Sequence, residues 1–217
     1  MDFFEVIRGR RSCREFLDRP VSGKDIETCL EAARLAPSAV NSQPWRFLVV
    51  RRPETRAALA EAGFGQPCLK LAPAIAVLLG DRGVHRKRLR RAKELADIGA
   101  ISPEFLSLLE SRHKTGKSRT GAGETENDVF IRANCMLAGE HYVLAATALG
   151  LGCCWVGAFD PAKVAAALKL DVSLNFPVAL LPTGHPAGDP IPPRPRYGIP
   201  DLAWKDEAER PWEAGTA

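Results

Sequence analysis

Residues 36–47 read APSAVNSQPWRF and decide how the chain is built. They divide a helical pattern over residues 22–36 from a short run of aromatic and β-branched residues, 45–50. Ser22 is a favourable helix N-cap, apolar side chains recur behind it at helical spacing, and Pro37 ends the pattern. The run at 45–50 predicts a buried strand. The dividing stretch therefore joins a helix to a strand.

The same stretch carries more polar groups than a connector needs. One proline is enough to end a helix, yet Ser38, Asn41, Ser42 and Gln43 follow close behind it. Such side chains hydrogen-bond to ligands, but they also cap helices and tie loops internally. Both roles, ligand contact and internal tie, stay open for these four side chains on the sequence pattern alone.

Outward from this stretch, predicted helices and strands alternate irregularly. Apolar runs at 74–79 and 176–186 predict further strands, CCWVGAF at 153–159 predicts a short one, and Pro53 and Pro161 each mark a helix start. Residues 2–8 read as a short helix. The pattern over 124–149 is apolar on nearly every face in its second half, so we expect a helix that is buried on all sides.

Composition excludes several classes of protein. The 217 residues are 46% hydrophobic, and 30 basic against 26 acidic side chains give a net charge of +4, too balanced to indicate nucleic acid or an anionic membrane. The lack of a signal-peptide or membrane-span pattern predicts a cytoplasmic protein. The six cysteines show no CxxC spacing. We therefore expect free thiols, no metal site, and redox chemistry only from a bound cofactor.

The chain is expected to form a single domain over 1–217 with two peripheral parts. Residues 82–119 are strongly charged and predict a helix, a second helix capped at Ser102, and a loop. We interpret them as a solvated, lid-like segment, because their basic run has no interleaved aromatic side chains for stacking on nucleic-acid bases. The tail over 187–217 is rich in proline and charge and is expected to run over a surface of this subunit or another.

Two arginine pairs stand near the ends of the chain. In RRSCREF, an extended backbone places Arg10, Ser12 and Arg14 on one face and directs the alternate residues the other way. That face spans roughly 13 Å, about the reach from a terminal phosphate to the ring of a mononucleotide cofactor. Arg194 and Arg196 lie two apart in a proline-stiffened segment. Either pair alone is also compatible with an ordinary surface cluster.

Four motifs in this order, RRSCREF, APSAVNSQPWRF, GLGCCWVGAF and TGHP, closely resemble the nitroreductase family of flavin-dependent oxidoreductases. The resemblance runs from about residue 3 to about residue 196 and is least in the charged middle segment. It implies an α+β fold, a mixed sheet flanked by helices, and an interlocked homodimer with one FMN in each of two interface clefts.

The resemblance also implies an activity: transfer of reducing equivalents from NADH or NADPH to a nitroaromatic, quinone or similar small acceptor by a ping-pong mechanism. The same scaffold also suits a flavin-fragmenting, dehalogenating or azole-forming enzyme, or a flavin-binding protein without turnover. In each case the flavin carries the bond chemistry, and no catalytic side chain is assigned.

Individual roles follow from the resemblance. Arg10 and Ser12 would hold the FMN phosphate together with the Arg194 and Arg196 pair, and Arg14 would lie beside flavin N1, where a cation favours the reduced state. Many members carry glutamate at the position of Gly157, so nicotinamide preference stays open. The predicted cofactor contacts are Arg10, Arg11, Ser12, Arg14, Pro37, Ser38, Ala39, Asn41, Gln66, Trp155, Val156, Gly157, Ala158, Arg194 and Arg196.

Overall fold

A four-stranded antiparallel sheet forms the centre of the chain. The computed structural model describes residues 1–114, 124–188 and 191–212. Along the sheet the strands are ordered β1, β2, β4, β3. Their bounds are β1 Trp45–Val50, β2 Ala74–Asp81, β3 Gly152–Cys153 and β4 Asn175–Gly184. Every residue of the central strand β2 is buried, as expected of an unbroken apolar run.

Helices cover both faces of this sheet. They are α1 Phe3–Gly9, α2 Gly23–Arg34, α3 Pro53–Ala62, α4 Pro67–Leu71, α5 Val84–Asp97, α6 Pro103–Lys114, α7 Glu124–Ala148, α8 Pro161–Leu168 and α9 Ile199–Leu202, with a short 3-10 turn at Ala39–Asn41. Within the described residues no helix is both long and apolar enough to cross a membrane.

The hydrophobic core lies in two layers, one on each side of the sheet. Alternate residues of β2 divide between them: Ala76 and Leu78 join the layer under α2 and α7, whereas the residues between them face α3, α4 and α8. In the first layer the fully buried Tyr142 of α7 stacks on Phe47 of β1, with ring centroids 5.7 Å apart. This packing fixes the position of α7 relative to the sheet.

Local signals set the element ends as predicted. Ser22 Oγ accepts a hydrogen bond from the backbone N–H of Asp25 at 3.0 Å and caps α2. Asp160 does the same for α8 through Ala162 N–H at 2.9 Å. Gly150, with φ of 74°, follows the end of α7. The predicted strands at 45–50, 74–79 and 176–186 are confirmed: β1 has its predicted bounds, and ends of β2 and β4 shift by one or two residues.

The sheet is less mixed than the resemblance implies. All four strands pair antiparallel, and the parallel pairing within the described residues is an isolated bridge between Ser12 and Cys153. It arises because the chain leaves α1 along the edge of β3 and runs in the same direction. The expectation of a mixed sheet therefore holds only at this edge.

The long helix α7 is not buried on all sides within one chain. Met136 and Leu137 are 45% and 46% exposed, and Val129 is 64% exposed. The reason is that α2 and the sheet cover only part of its circumference, so the prediction of all-round burial is wrong for the single chain. In the charged segment the helices α5 and α6 are confirmed, with Ser102 Oγ accepting from Phe105 N–H at 3.2 Å. The predicted loop after them, 115–119, lies outside the described residues.

Candidate cofactor site

The RRSCREF stretch is an extended edge segment beside β3. Cys13 N–H donates to the carbonyl of Cys153 at 3.0 Å, and Leu17 N–H donates to that of His185 at 2.9 Å. The approach is close because Gly152 has no side chain: a Cβ there would lie 2.6 Å from Cys13 Sγ. Cys13 is buried and Arg14 is exposed. The predicted extended backbone is thus present, with the polar residue turned outward.

Arg10 and Trp155 meet at one carboxylate. Glu140 Oε2 accepts a hydrogen bond from Trp155 Nε1 at 3.0 Å, and Glu140 Oε1 lies 3.7 Å from Arg10 Nε. Arg10 and Trp155 were both predicted as site residues, whereas Glu140 was not. No local motif includes Glu140, and its only sequence signal is an acidic residue in the mainly apolar second half of α7.

Residues 155–158 continue from β3 and leave the sheet. Val156 exchanges two backbone hydrogen bonds of 3.0 Å with Leu180, and its side chain is buried in the core. Gly157 and Ala158 are exposed, and neither of their N–H groups donates to a partner in the described parts of the chain. Two adjacent backbone donors are therefore open to a ligand.

Gln66 reaches this same segment from α4. Its Nε2 donates to the carbonyl of Ala158 at 2.9 Å and to that of Gly63 at 3.0 Å. The structure therefore brings Gln66 next to the 155–158 segment, although the sequence separates them by 92 positions.

The loop that follows α2 is tied to itself and to α7. Gln43 N–H donates to Ser38 Oγ at 2.9 Å, and Gln43 Nε2 donates to Asn41 Oδ1 at 2.8 Å. Asn134 Oδ1 accepts from Ala39 N–H at 3.0 Å. The tying role left open for Gln43 is confirmed. Asn134 was not predicted, because it lies among the other polar residues of the first half of α7 and nothing in the sequence distinguishes it from them.

The backbone of this loop is strained at three residues. Val40, Asn41 and Gln43 have φ values of 53°, 49° and 45°, which fall in the left-handed region that disfavours residues with a side chain. Ser42 Oγ is buried without a hydrogen-bond partner among the described residues. Strain of about 1 kcal/mol per residue persists only where surrounding contacts impose it, and this is common at ligand sites.

The remaining predicted arginines do not converge within one chain. Arg11 donates to the carbonyl of Arg10 at 2.8 Å and closes the end of α1, and Arg14 donates to the carbonyl of Ser12 at 3.2 Å. Arg194 and Arg196 lie on an exposed, extended segment. In the part of the chain that the structure describes, neither of them contacts Arg10 or Ser12.

The 37–41 loop and the Arg10 edge lie on different sides of α7. Asn134 holds the loop and Glu140 holds the edge, and these two residues are six positions apart on the helix. At about 100° per residue they are separated by about 120° around the axis. The two groups of predicted contacts therefore do not form one enclosed site within a single chain.

The cysteines near the site are buried thiols. Burial raises the pKa of Cys153 to about 12 and that of Cys154 to about 11. All six cysteines are free and buried, as expected, and the described residues contain no cluster suited to a metal ion. The thiols of Cys153 and Cys154 therefore stay protonated at neutral pH and pack as small apolar groups.

A separate concavity lies between α3 and α4. It has a volume of about 700 Å³ and is lined by Pro53, Arg56, Ala57, Ala60, Glu61, Phe64, Gly65 and Lys70. None of the predicted cofactor contacts lines it. The predicted contacts instead lie along an open edge of the sheet.

Comparison with known proteins places the chain in a family. Residues 7–185 match the model of the Nitroreductase family. A Thermus thermophilus protein named NADH dehydrogenase is 34% identical over 185 residues, which cover 84% of this chain and 86% of the relative. The oxygen-insensitive NADPH nitroreductase of Helicobacter pylori is 26% identical over 171 residues, 76% of this chain and 78% of the relative.

A solved structure has the same fold. The crystal structure of an Exiguobacterium sibiricum protein in complex with FMN superposes with a TM-score of 0.79 at 28% identity, and the match covers 94% of this chain and 98% of that one. With the family model matching most of its length, the chain belongs to the nitroreductase family.

Proposed function

We propose that this chain is an FMN-dependent oxidoreductase that passes reducing equivalents from NADH or NADPH to a nitroaromatic, quinone or similar small acceptor in a ping-pong cycle. The observation that carries the proposal is the meeting of three distant stretches, 10–14, Gln66 and 155–158, on one edge of the sheet. When bound, FMN supplies the electron transfer, and the chain binds and orients the reactants.

The residues on this edge fit such a group. Arg10 and Ser12 present a cation and a hydroxyl on an extended segment, which suits a terminal phosphate. The open N–H groups of Gly157 and Ala158 suit the acceptor atoms of the flavin ring, and Trp155 would line it. The side chain of Val156 is buried in the core, so its predicted contact with the ring would have to come from its backbone. Gln66 is proposed at the pyrimidine edge. Arg14 would place a positive charge near N1, and Arg11 supports the segment by closing α1.

We further propose that the site is completed by a second copy of the chain in a homodimer. The 37–41 loop lies on a different side of α7 from the Arg10 edge, so Pro37, Ser38, Ala39 and Asn41 would reach the cofactor held by the other subunit. Arg194 and Arg196 are exposed and would complete the phosphate clamp. Helix α7 has exposed apolar side chains at Val129, Met136 and Leu137, which we call the α7 stripe. This stripe supports such an association.

The charged segment is proposed to act as a lid over the acceptor. Helix α5 packs against the Ala39–Asn41 turn, the part of the chain proposed to approach the flavin. It therefore stands next to the place where an acceptor would enter. We assign no catalytic side chain, and protons would come from solvent.

The test is spectroscopic. Flavin released by heat from the purified protein should elute as FMN on chromatography, because the clamp suits a terminal phosphate and no dinucleotide fingerprint is present. Under anaerobic conditions NADH or NADPH should bleach the bound flavin, and a nitroaromatic or quinone should restore its colour. Elution as FAD contradicts the phosphate assignment, and a flavin that neither nicotinamide reduces contradicts the oxidoreductase.

A further inference from the structure

Glu140 of α7 contacts two residues of the cofactor site that are far apart in sequence. One carboxylate oxygen accepts the indole N–H of Trp155 at 3.0 Å, and the other lies 3.7 Å from Nε of Arg10. Arg10 belongs to the phosphate end of the proposed site and Trp155 to the ring end. A single carboxylate therefore connects both ends.

The Trp155 side chain is held by shape as well as by this hydrogen bond. Gly139 precedes Glu140, and a Cβ at position 139 would lie 2.3 Å from Cη2 of Trp155. The indole therefore occupies the space that any side chain at 139 would need. Within that space Glu140 sets the direction of the indole N–H, because hydrogen bonds to a charged acceptor are strong and directional.

Arg10 is held from one side only. The ion pair with Glu140 is the one polar contact that its guanidinium makes with the described residues. It engages Nε and leaves the two terminal amino groups open to form the two-bond fork that recognises phosphate. The side chains of Arg10 and Glu140 are 23% and 43% exposed. The pair is therefore weak in itself, and its effect is to orient the guanidinium.

We propose that Glu140 is a positioning residue, an inference that rests on the function proposed above. It orients Arg10 toward the FMN phosphate and Trp155 toward the flavin ring, and it touches neither part of the cofactor itself. If Glu140 only stabilised α7, its replacement would lower the stability of the protein and would leave the binding of both the phosphate and the ring of FMN unchanged.

Two substitutions separate the two contacts. Glu140→Gln keeps an oxygen that accepts the indole N–H but removes the charge that pairs with Arg10, whereas Glu140→Ala removes both. Glu27→Gln, on an exposed position of α2, is the matched control for loss of a glutamate charge. Thermal melts of all variants show whether each protein is folded before binding is compared.

The first measurement is a titration of FMN-free, full-length protein with FMN and with riboflavin, which lacks the phosphate. Glu140→Gln should weaken FMN binding about two- to fivefold and leave riboflavin binding unchanged, because only the phosphate end loses its orientation. Glu140→Ala should weaken the binding of both ligands, that of FMN by about tenfold. The Glu27→Gln control should match the wild type for both.

The second measurement needs no cofactor. The near-ultraviolet circular dichroism of FMN-free protein should contain a Trp155 band, which is identified as the signal lost in Trp155→Phe. This band should persist in Glu140→Gln and collapse in Glu140→Ala. A band that survives in a folded Glu140→Ala variant overturns the Trp155 part of the inference.

The titration distinguishes failure of the Arg10 part of the inference from failure of the proposed function. FMN binding that is unchanged in Glu140→Gln overturns the Arg10 part, since it shows that the ion pair does not orient Arg10 for the phosphate. Tighter binding overturns it too, since it shows that the carboxylate repels the phosphate. Wild-type protein that binds neither flavin contradicts the proposed function and the Arg10 part with it. The dichroism band then still decides whether Glu140 orients Trp155.

Discussion

At the scale of single residues, Arg10 and Arg14 are proposed to act on different properties of one cofactor. Arg14→Ala should keep most of the FMN but lower the flavin potential by about 10–20 mV, because an exposed cation near N1 contributes only about 0.5–1 kcal/mol. Arg10→Ala should weaken FMN retention about tenfold and leave the potential of the remaining flavin unchanged. Equilibrium dialysis and reduction against a reference dye measure the two quantities. Loss of flavin from Arg14→Ala at constant potential contradicts the assigned roles.

The thiol of Cys153 should make stability depend on alkaline pH. Burial raises its pKa to about 12 from an ordinary 9.0, so the unfolded state loses this proton first as pH rises. The contribution of Cys153 is complete below about pH 9 and is lost between about pH 9 and 12, at about 1.4 kcal/mol per pH unit. Urea unfolding under reducing conditions should show a shallower pH slope for Cys153→Ala than for wild type. Equal slopes would show that the thiol is hydrated.

At the scale of elements, α7 organises the loop that follows α2. Replacing the buried Asn134 by leucine leaves Ala39 N–H without its acceptor and should lower the free energy of unfolding by about 1–3 kcal/mol. Limited proteolysis should show earlier cleavage within 37–44, because the strained turn loses its anchor. Asn175→Leu makes the same change at a half-buried position whose side chain makes no hydrogen bond to the described residues, and it should stay within about 0.5 kcal/mol of wild type. Equal effects of the two substitutions would show that the loop does not depend on Asn134.

The elements differ in how far the sequence predicts them. β1 is predicted at its observed bounds, because its apolar run and the adjoining proline are local signals. The helix α4 is missed, since Pro67–Leu71 is too short to show a period. The positioning contacts are missed for another reason: Asn134 meets Ala39 across 95 positions and Glu140 meets Trp155 across 15. Such pairings depend on how α7 packs, which no local pattern encodes.

At the scale of the whole molecule, the exposed apolar surface predicts association. Besides the α7 stripe, Phe3 and Phe4 on α1 are 65% and 62% exposed. In the tail, Tyr197 and Trp204 are 83% and 58% exposed. So much exposed aromatic surface is unusual for a monomer. We therefore expect light scattering to report twice the 23.6 kDa mass of the chain.

A charge placed in the α7 stripe should dissociate this dimer. Met136→Glu should give a monomer that has lost most of its FMN, because each proposed site draws on both subunits. Val172→Glu, at an exposed apolar position outside α7, serves as the matched control and should remain dimeric. A folded, flavin-loaded monomer in the first variant would show that one chain suffices for binding.

The close contact of Gly139 with Trp155 has a consequence for the order in which these two positions of the chain can change. A Cβ at position 139 would lie 2.3 Å from the indole, so the side chains at 139 and 155 compete for the same space. Alanine at 139 requires a smaller ring at 155, in the same step or earlier. Shrinking the ring first passes through a cavity, whereas the reverse order passes through a clash. Evolution therefore has a preferred direction here: the tryptophan shrinks first, and only then can the glycine grow.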